Sequence, residues 1–233
     1  MSYNVLYQDI GLKEYEVARK VQENIFKRLT DNKLNRRQRD SVNLKAENGI
    51  LIFVEHPHVY TLGKSGSENN LLIDHIQLKA KEAKFFRTDR GGDITYHGPG
   101  QIVGYPIFDL EEIEISLKEY IRRLEEAVIN TLLHYNITGS RLSGATGVWI
   151  DQGNRPRKIC AIGVKASRYI TMHGFAFNVN TDLSYFNYIN PCGFVDKEVT
   201  SLEKELGAKQ DFEEVKNILK TNFKGAFDLQ FIN

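Results

Sequence analysis

The cysteine at position 192 lies between a proline and a glycine, in the stretch INPCG at residues 189–193. Most cysteines are buried as small hydrophobic residues and are chemically inert. A Pro-Cys-Gly sequence is typical of a turn outside helices and strands, so we expect its thiol to be presented to a binding partner. A thiol becomes a nucleophile when a nearby cation lowers its pKa from about 8.5 into a range of roughly 3.5–7.5. Cys192 is therefore the first candidate for covalent chemistry.

A second candidate is Lys158, at the beginning of the apolar run KICAIGV. A lysine at a strand end is usually a solvated gatekeeper, whereas a buried lysine can exchange protons near neutral pH. Cys160 shares a face with Lys158 if the strand is regular, which makes it a rival thiol. Its neighbours Ile159, Ala161 and Ile162 favour an inert core cysteine.

The segment RTDRGGDITYHGPGQIVGYPIFDL, at residues 87–110, is rich in glycine. Glycines at this density allow the backbone to approach a ligand and to turn its amides inward. Arg90 could bind a carboxylate or phosphate, and His97 could act as acid, base or ligand. The pattern matches neither a phosphate-binding loop nor a dinucleotide fingerprint. Two tight turns around a packed histidine are the alternative interpretation.

Composition narrows the class of protein. A chain of 233 residues with 41% apolar and 26% charged residues fits one ordinary globular domain. A net charge of +1 argues against nucleic-acid binding through a strong positive field. The N-terminus lacks the pattern of a signal peptide, and the apolar run at residues 50–54 is too short to cross a bilayer. We therefore expect a cytoplasmic protein with neither nucleic acid nor membrane as a partner.

Metal binding is not indicated by the sequence. The two cysteines form no CxxC pair. Glu55, His56 and His58 could bind a metal, but they lack the HExxH spacing, and a turn that closes the preceding strand is the better interpretation. We expect no metal and no cofactor.

Apolar spacing predicts the elements that must position these residues. A first helix is expected from about 12 to 29, and the charged stretch near 30–48 is expected to be a surface loop insertion. Ser116 and Glu119 begin a second helix as a capping box, and a last helix covers 211–223. Helices and strands are interspersed, so the class is α/β or α+β with a mixed sheet.

Three strand regions follow from the same analysis. ILIFVEHPHVYTLG is expected to be a buried strand that ends at a glycine. GVWI and KICAIGV form a strand pair, and FAFNVN alternates so that Phe175, Phe177 and Val179 share one face.

In these segments the chain resembles the lipoyl(octanoyl) transferases, which move an octanoyl group onto lipoyl carrier domains. The resemblance spans about residues 5–206 and is carried by three motifs in order, with EHPHVYTLGK in support. These motifs are RGGDITYHGPGQIVGYPI at 90–107, KICAIGVKASRYITMHGFAFNVNTDLSYF at 158–186 and INPCG at 189–193. Two departures are Cys160, where the family more often has a small non-thiol residue, and the charged insertion.

The resemblance implies one catalytic domain over residues 1–233, with a mixed β-sheet backed by helices as in biotin and lipoate protein ligases. It implies transfer from octanoyl-acyl carrier protein to lipoyl domains of 2-oxoacid dehydrogenase complexes and glycine cleavage H protein, by a cytoplasmic monomer. Cys192 would be the nucleophile and Lys158 its acid and base. The substrate contacts that it implies are Arg90, Gly91, Gly92, Asp93, Ile94, Thr95, Tyr96, His97, Ala161, Ile162, Gly163, Gly174, Phe175 and Ala176.

Exchange of one thioester for another is nearly isoenergetic, so this reaction would need no ATP and would follow ping-pong kinetics. Tyr96, Ile162 and Phe175 are expected to line an apolar slot for the acyl chain. Three rival functions remain: an ATP- and Mg²⁺-dependent lipoate protein ligase, a non-catalytic acyl or carrier-domain binding protein, and an amidotransferase that uses another cysteine. The basic residues of the insertion would either dock an acidic carrier protein or form a solvated loop: Lys33, Arg36, Arg37 and Arg39.

Overall fold

The computed structural model of the protein describes residues 3–38, 49–151, 155–190 and 198–232. Cys192 and its Pro-Cys-Gly turn lie outside the described residues, as does Arg39.

The described residues form five α-helices, two 3₁₀ helices and twelve strands. The helices are α1 Tyr15–Gln38, α2 His75–Ala80, α3 Leu117–Leu133, α4 Leu202–Leu206 and α5 Phe212–Phe227, and the 3₁₀ helices are Glu68–Asn70 and Leu183–Tyr188. The strands are β1 Tyr3–Leu12, β2 Gly49–Glu55, β3 Val59–Leu62, β4 Lys84–Arg87, β5 Ile94–His97, β6 Gln101–Phe108, β7 Ser140–Leu142, β8 Ala145–Ile150, β9 Arg157–Ser167, β10 Ile170–Asn178, β11 Glu198–Val199 and β12 Leu229–Ile232.

Most strands join one mixed sheet in the order β12-β1-β2-β6-β10-β9-β8-β7, and β11 pairs with β9 in parallel. The centre of this sheet, from β2 to β8, is antiparallel, whereas β1 runs parallel to both β2 and β12. Helices α3 and α5 cover one face, and α1 covers the other. The predicted class, a mixed sheet backed by helices, is confirmed.

Helix α3 shows why amphipathic spacing is informative. Tyr120, Leu124, Val128 and Leu132 each have no exposed surface, because steps of four residues keep them on one face. The side chain of Ser116 accepts a hydrogen bond from the backbone N–H of Glu119, which is one half of the predicted capping box.

The prediction of a loop from residue 30 onward is wrong as far as Gln38, because α1 continues to that residue. Lys33 follows Leu29 by four residues and lies on the same buried face of α1 as Ile25 and Leu29. Its ammonium lies 2.7 Å from the carboxylate of Asp109 and 2.7 Å from that of Glu111. The side chain of Lys33 is only 11% exposed. The two carboxylates balance its positive charge. Residues 39–48 of the predicted insertion lie outside the described residues.

A second, three-stranded sheet has the order β4-β3-β5. The stretch predicted as one strand is therefore two strands in different sheets, with the turn at His56–His58 between β2 and β3. This small sheet packs against the 3₁₀ helix Leu183–Tyr188 through a core that contains Tyr60 and Tyr96.

The pairing of β8 with β9 contains a β-bulge. Val148 pairs with Cys160 and Trp149 with Lys158, so Ile159 is the extra residue. Ile159 and Cys160 therefore both enter the main core, and neither shares the face of Lys158. The prediction that Cys160 is buried in the core is confirmed, and the face shared with Lys158, expected only for a regular strand, is not formed.

Candidate active site

A cleft of about 340 Å³ opens between the glycine-rich segment and the β9–β10 hairpin. All of the substrate-binding residues predicted from the sequence are described, and all except Gly91 and Tyr96 line this cleft. Those that line it are Arg90, Gly92, Asp93, Ile94, Thr95, His97, Ala161, Ile162, Gly163, Gly174, Phe175 and Ala176, together with Lys158. Segments that are far apart in sequence therefore form one surface.

Tyr96 faces away from the cleft, contrary to the prediction that it lines the acyl slot. It is fully buried in the core of the small sheet, and its hydroxyl lies 2.7 Å from His58 Nδ1. Its neighbours Thr95 and His97 line the cleft, and alternation along β5 turns the residue between them to the other side. Gly91 connects the glycine-rich segment to β9, because its N–H donates to the carbonyl of Val164 at 2.9 Å.

Arg90 organises the loop that bears it. Its Nη2 donates to the carbonyls of Thr61 at 2.6 Å and Asp93 at 2.7 Å, and its Nη1 donates to the carbonyl of Gly91 at 3.0 Å. The side chain is buried, with 8% exposed. These bonds hold the turn around Gly91–Gly92 in one conformation and place a cationic group beside the cleft.

His97 lies in a chain of buried hydrogen bonds. Gln101 donates its amide N–H groups to Asn178 Oδ1 at 2.8 Å and to the carbonyl of Tyr96 at 3.2 Å. Its Oε1 therefore faces His97 Nδ1 at 2.9 Å, and that nitrogen carries the proton. Burial lowers the pKa of His97 to about 3, so the ring is neutral at physiological pH.

Gly163 and Gly174 allow a close backbone approach at the floor of the cleft. A Cβ on Gly174 would lie 2.1 Å from the carbonyl oxygen of Gly104. A Cβ on Gly163 would lie 2.9 Å from the carbonyl oxygen of Gly91. Only glycine lets the strands and the loop approach this closely, so these residues determine the shape of the cleft.

Lys158 lies at the cleft with its ammonium 4.6 Å from the centre of the Trp149 ring, within cation–π range. Val199, which pairs with Lys158 in β11, lines the same cleft. Cys160 is fully buried behind the sheet, and burial raises the pKa of its thiol well above the usual range. A protonated, inaccessible thiol is a poor nucleophile.

Two tyrosines at the cleft were not predicted from the sequence, whereas His173, with Gly174 at the start of the FAFNVN strand, was expected to supply further ligand contacts. Tyr15, Tyr105 and His173 line the cleft. Burial raises the pKa of Tyr15 to about 12, and Tyr105 bonds to His56 at 2.8 Å. His173 and His56 were visible as isolated histidines in the sequence, whereas nothing in the sequence places the two tyrosines here.

The described residues contain no group of three or more His, Cys, Asp or Glu side chains arranged to hold a metal ion. None of the described helices combines the length and the apolar character that crossing a bilayer requires.

Comparison with known proteins identifies the family. Residues 15–224 match the model of the lipoyl protein ligase A/B catalytic domain. An octanoyltransferase from Christiangramia forsetii is 53% identical over 232 residues, which cover 99% of this chain and 98% of that protein. The chain therefore belongs to the lipoyl protein ligase A/B catalytic domain family, as a member of its octanoyltransferases.

Solved structures show the same fold at low sequence identity. Lipoate-protein ligase A bound with ATP superposes with a TM-score of 0.72 at 16% identity, covering 100% of this chain and 88% of that chain. Biotin protein ligase from Aquifex aeolicus, in complex with biotin and ATP, gives a TM-score of 0.52 at 14% identity, covering 97% and 70%. The expected relation to biotin and lipoate protein ligases is confirmed for the fold.

Proposed function

We propose that the protein transfers an octanoyl group from acyl carrier protein to a lysine of lipoyl domains, through a thioester on Cys192. The observation that carries this proposal is the meeting of Lys158, the glycine-rich loop and the β9–β10 hairpin at one cleft. Val199, seven residues after Cys192 in the chain, lines that cleft as well. The octanoyltransferase relative, similar over nearly the whole chain, supports the same activity.

In the first half-reaction the Cys192 thiolate attacks the carbonyl carbon of the carrier thioester. The tetrahedral intermediate collapses with loss of the pantetheine thiolate, which takes a proton from the ammonium of Lys158. The new thioester is nearly isoenergetic with the old one, so no nucleotide is required. The product is octanoyl-Cys192 with neutral Lys158 beside it.

In the second half-reaction Lys158 acts as a base. The acceptor lysine has a reference pKa near 10.4 and arrives protonated, so it must lose a proton before it can attack. Neutral Lys158 takes that proton, and the amine attacks the thioester. The Cys192 thiolate leaves as the amide forms, and the second proton of the amine passes to solvent. Lys158 and Cys192 return to the charge states in which they began.

Backbone amides at the cleft would stabilise the oxyanion of each tetrahedral intermediate. The Gly91 N–H is already donated to Val164, so the donors are other amides of the loop or hairpin. Loss of one such donor typically costs on the order of a hundredfold in rate.

Apolar residues of the cleft would hold the acyl chain. Val103, Ile162, Phe175 and Ala176 line it. At about 0.8 kcal/mol per buried CH₂, an octanoyl tail can gain roughly 5 kcal/mol of binding free energy. Octanoyl-acyl carrier protein is therefore the proposed donor, and lipoyl domains and glycine cleavage H protein are the proposed acceptors. A cytoplasmic location and a monomeric state also remain predictions.

The direct test is transfer of octanoyl from octanoyl-acyl carrier protein to a purified lipoyl domain without ATP, followed by the mass of the lipoyl domain. We expect the octanoyl mass increment with the natural enzyme and none with Cys192→Ser or Lys158→Met. Lys118→Met, an exposed lysine of α3, is the matched control and should transfer normally. Modification that requires ATP and free octanoate would instead identify a ligase.

A further inference from the structure

His173 has an unusual backbone for a residue in the centre of a sheet. Its φ is +61°, in the left-handed region that bulky residues rarely adopt. Extending the register of β10 and β6 from Phe175↔Gly104 places His173 opposite Pro106. Pro106 has no N–H to donate, and its carbonyl accepts from the hydroxyls of Tyr120 and Thr171. The ladder is therefore interrupted at His173.

The backbone N–H and the imidazole of His173 bond to α1 and to the glycine-rich loop instead of to β6. Its N–H donates to Gln22 Oε1 of α1 at 3.1 Å. Its Nε2 lies 2.7 Å from Asp89 Oδ1, and the side chain is only 2% exposed. Asp89 immediately precedes Arg90 in the chain, so this contact reaches the first residue of the loop.

Asp89 is bound a second time from the same hairpin. Lys165 Nζ lies 2.5 Å from Asp89 Oδ2, and Lys165 is on β9, opposite β10. The hydrogen bond from His173, together with Lys165, holds the pKa of Asp89 well below its usual range. Burial lowers the pKa of His173, so a neutral imidazole donates Nε2–H to a carboxylate whose charge Lys165 balances.

The loop Asp89–Asp93 is thereby fixed on two sides. On the side of the small sheet, Arg90 bonds to Thr61 and the carbonyls of the loop. On the side of the main sheet, Gly91 bonds to Val164, and Asp89 bonds to His173 and Lys165. His173 also lines the cleft, so it connects the loop to the floor of the site.

We propose that His173 is a positioning residue that, with Asp89 and Lys165, fixes the glycine-rich loop over the cleft in the geometry that acyl transfer requires. This inference rests on the proposed function of the cleft. A misplacement of about 1 Å in a substrate-positioning group can cost on the order of a hundredfold in rate. Weakening the His173–Asp89 contact should therefore lower kcat more than it raises KM for the carrier.

The test compares His173→Leu, which removes the donor, with His173→Gln, whose amide can donate near the position of Nε2. Both carry a side chain at the same strained φ, so that cost is common to the two variants. We expect kcat for octanoyl transfer to fall at least tenfold in His173→Leu and to recover to within about threefold in His173→Gln. His134→Gln, an exposed histidine at the end of α3, is the matched control and should be unchanged.

Folding is monitored by the melting temperature and by the fraction of enzyme acylated. A folded His173→Leu protein with kcat within twofold of the natural enzyme would overturn the inference. If that variant does not fold, Lys165→Met decides, because Lys165 is partly exposed and its loss removes the second contact to Asp89. A severalfold drop in kcat supports the inference, and an unchanged kcat refutes it. Absence of transfer in the natural enzyme would instead refute the proposed function.

Discussion

Gly174→Ala offers a quantitative test of the packing beneath the cleft. The added Cβ would lie 2.1 Å from the carbonyl oxygen of Gly104 and 2.6 Å from Cδ of Pro106. Both atoms belong to the central strand β6 and cannot rotate away as a flexible side chain would. The two strands must therefore separate locally, and the hydrogen bonds of Phe175 and its neighbours on β10 must lengthen.

The expected loss of stability follows from this geometry. Overpacking a core typically costs 1–3 kcal/mol, and a clash with backbone belongs at the upper end, about 3 kcal/mol. For a domain of this size about 1 kcal/mol corresponds to roughly 2–4 °C in melting temperature. Gly174→Ala should therefore lower the melting temperature by about 6–12 °C.

Gly225→Ala is the matched control for the same chemical change. Gly225 is exposed on α5, and an added Cβ would meet nothing within 4 Å. Replacing glycine by alanine in a helix stabilises it by up to about 1 kcal/mol, so this variant should melt slightly higher. Thermal and urea unfolding followed by circular dichroism measure both changes. A Gly174→Ala protein that melts within about 2 °C of the natural one would refute the close approach of β6 and β10.

Three further predictions concern residues around the cleft. Lys33→Met should destabilise the protein by about 1–3 kcal/mol in urea unfolding, because the largely buried Asp109 loses its partner. The apparent KM of Lys33→Met for acyl carrier protein should be unchanged. A raised KM would indicate that Lys33 docks the carrier protein. Burial lowers the pKa of His56 to about 4 and of His97 to about 3, whereas unfolded histidines bind protons near 6.5. Stability should therefore fall by about 1.4 kcal/mol per pH unit for each histidine as the pH drops below 6 toward 4. His56→Gln should reduce this slope in urea midpoints, and an unaltered slope would contradict the assignment. Cys160→Ala should leave octanoyl transfer intact, and iodoacetamide should not modify Cys160 in the native protein; a loss of transfer would make Cys160 part of the site.

The sequence was most informative where a strong repeat coincided with burial. The four apolar residues of α3 and the alternation of Phe175, Phe177 and Val179 specify their faces without tertiary information, and the structure confirms them. The glycine-rich and β9–β10 segments, which the resemblance assigned to substrate binding, line one cleft in the structure, and their role in binding substrate stays a prediction. Glycines at close backbone contacts constrain the sequence strongly, so that their pattern is recognisable.

The errors have physical causes that short patterns do not reveal. A motif read as a continuous run includes Tyr96, although strand alternation turns it away from the cleft. Lys33 was assigned to a loop because it is charged, yet its ammonium is neutralised by carboxylates that are distant in sequence.

The contact between His173 and Asp89 could not have been predicted from the chain alone. The two residues are 84 positions apart, and the left-handed backbone of His173 lies opposite a proline in a neighbouring strand. Such contacts arise from the register of the sheet, which is fixed only when the strands are assembled.

The most direct measurement is the intact mass of the enzyme after incubation with octanoyl-acyl carrier protein and no acceptor. It should be made on the natural protein, Cys192→Ser and Cys160→Ser. The proposed mechanism predicts a gain of one octanoyl group in the natural protein and in Cys160→Ser, and no gain in Cys192→Ser. An adduct that persists in Cys192→Ser, or the absence of any adduct in the natural protein, would contradict the acyl-enzyme on Cys192.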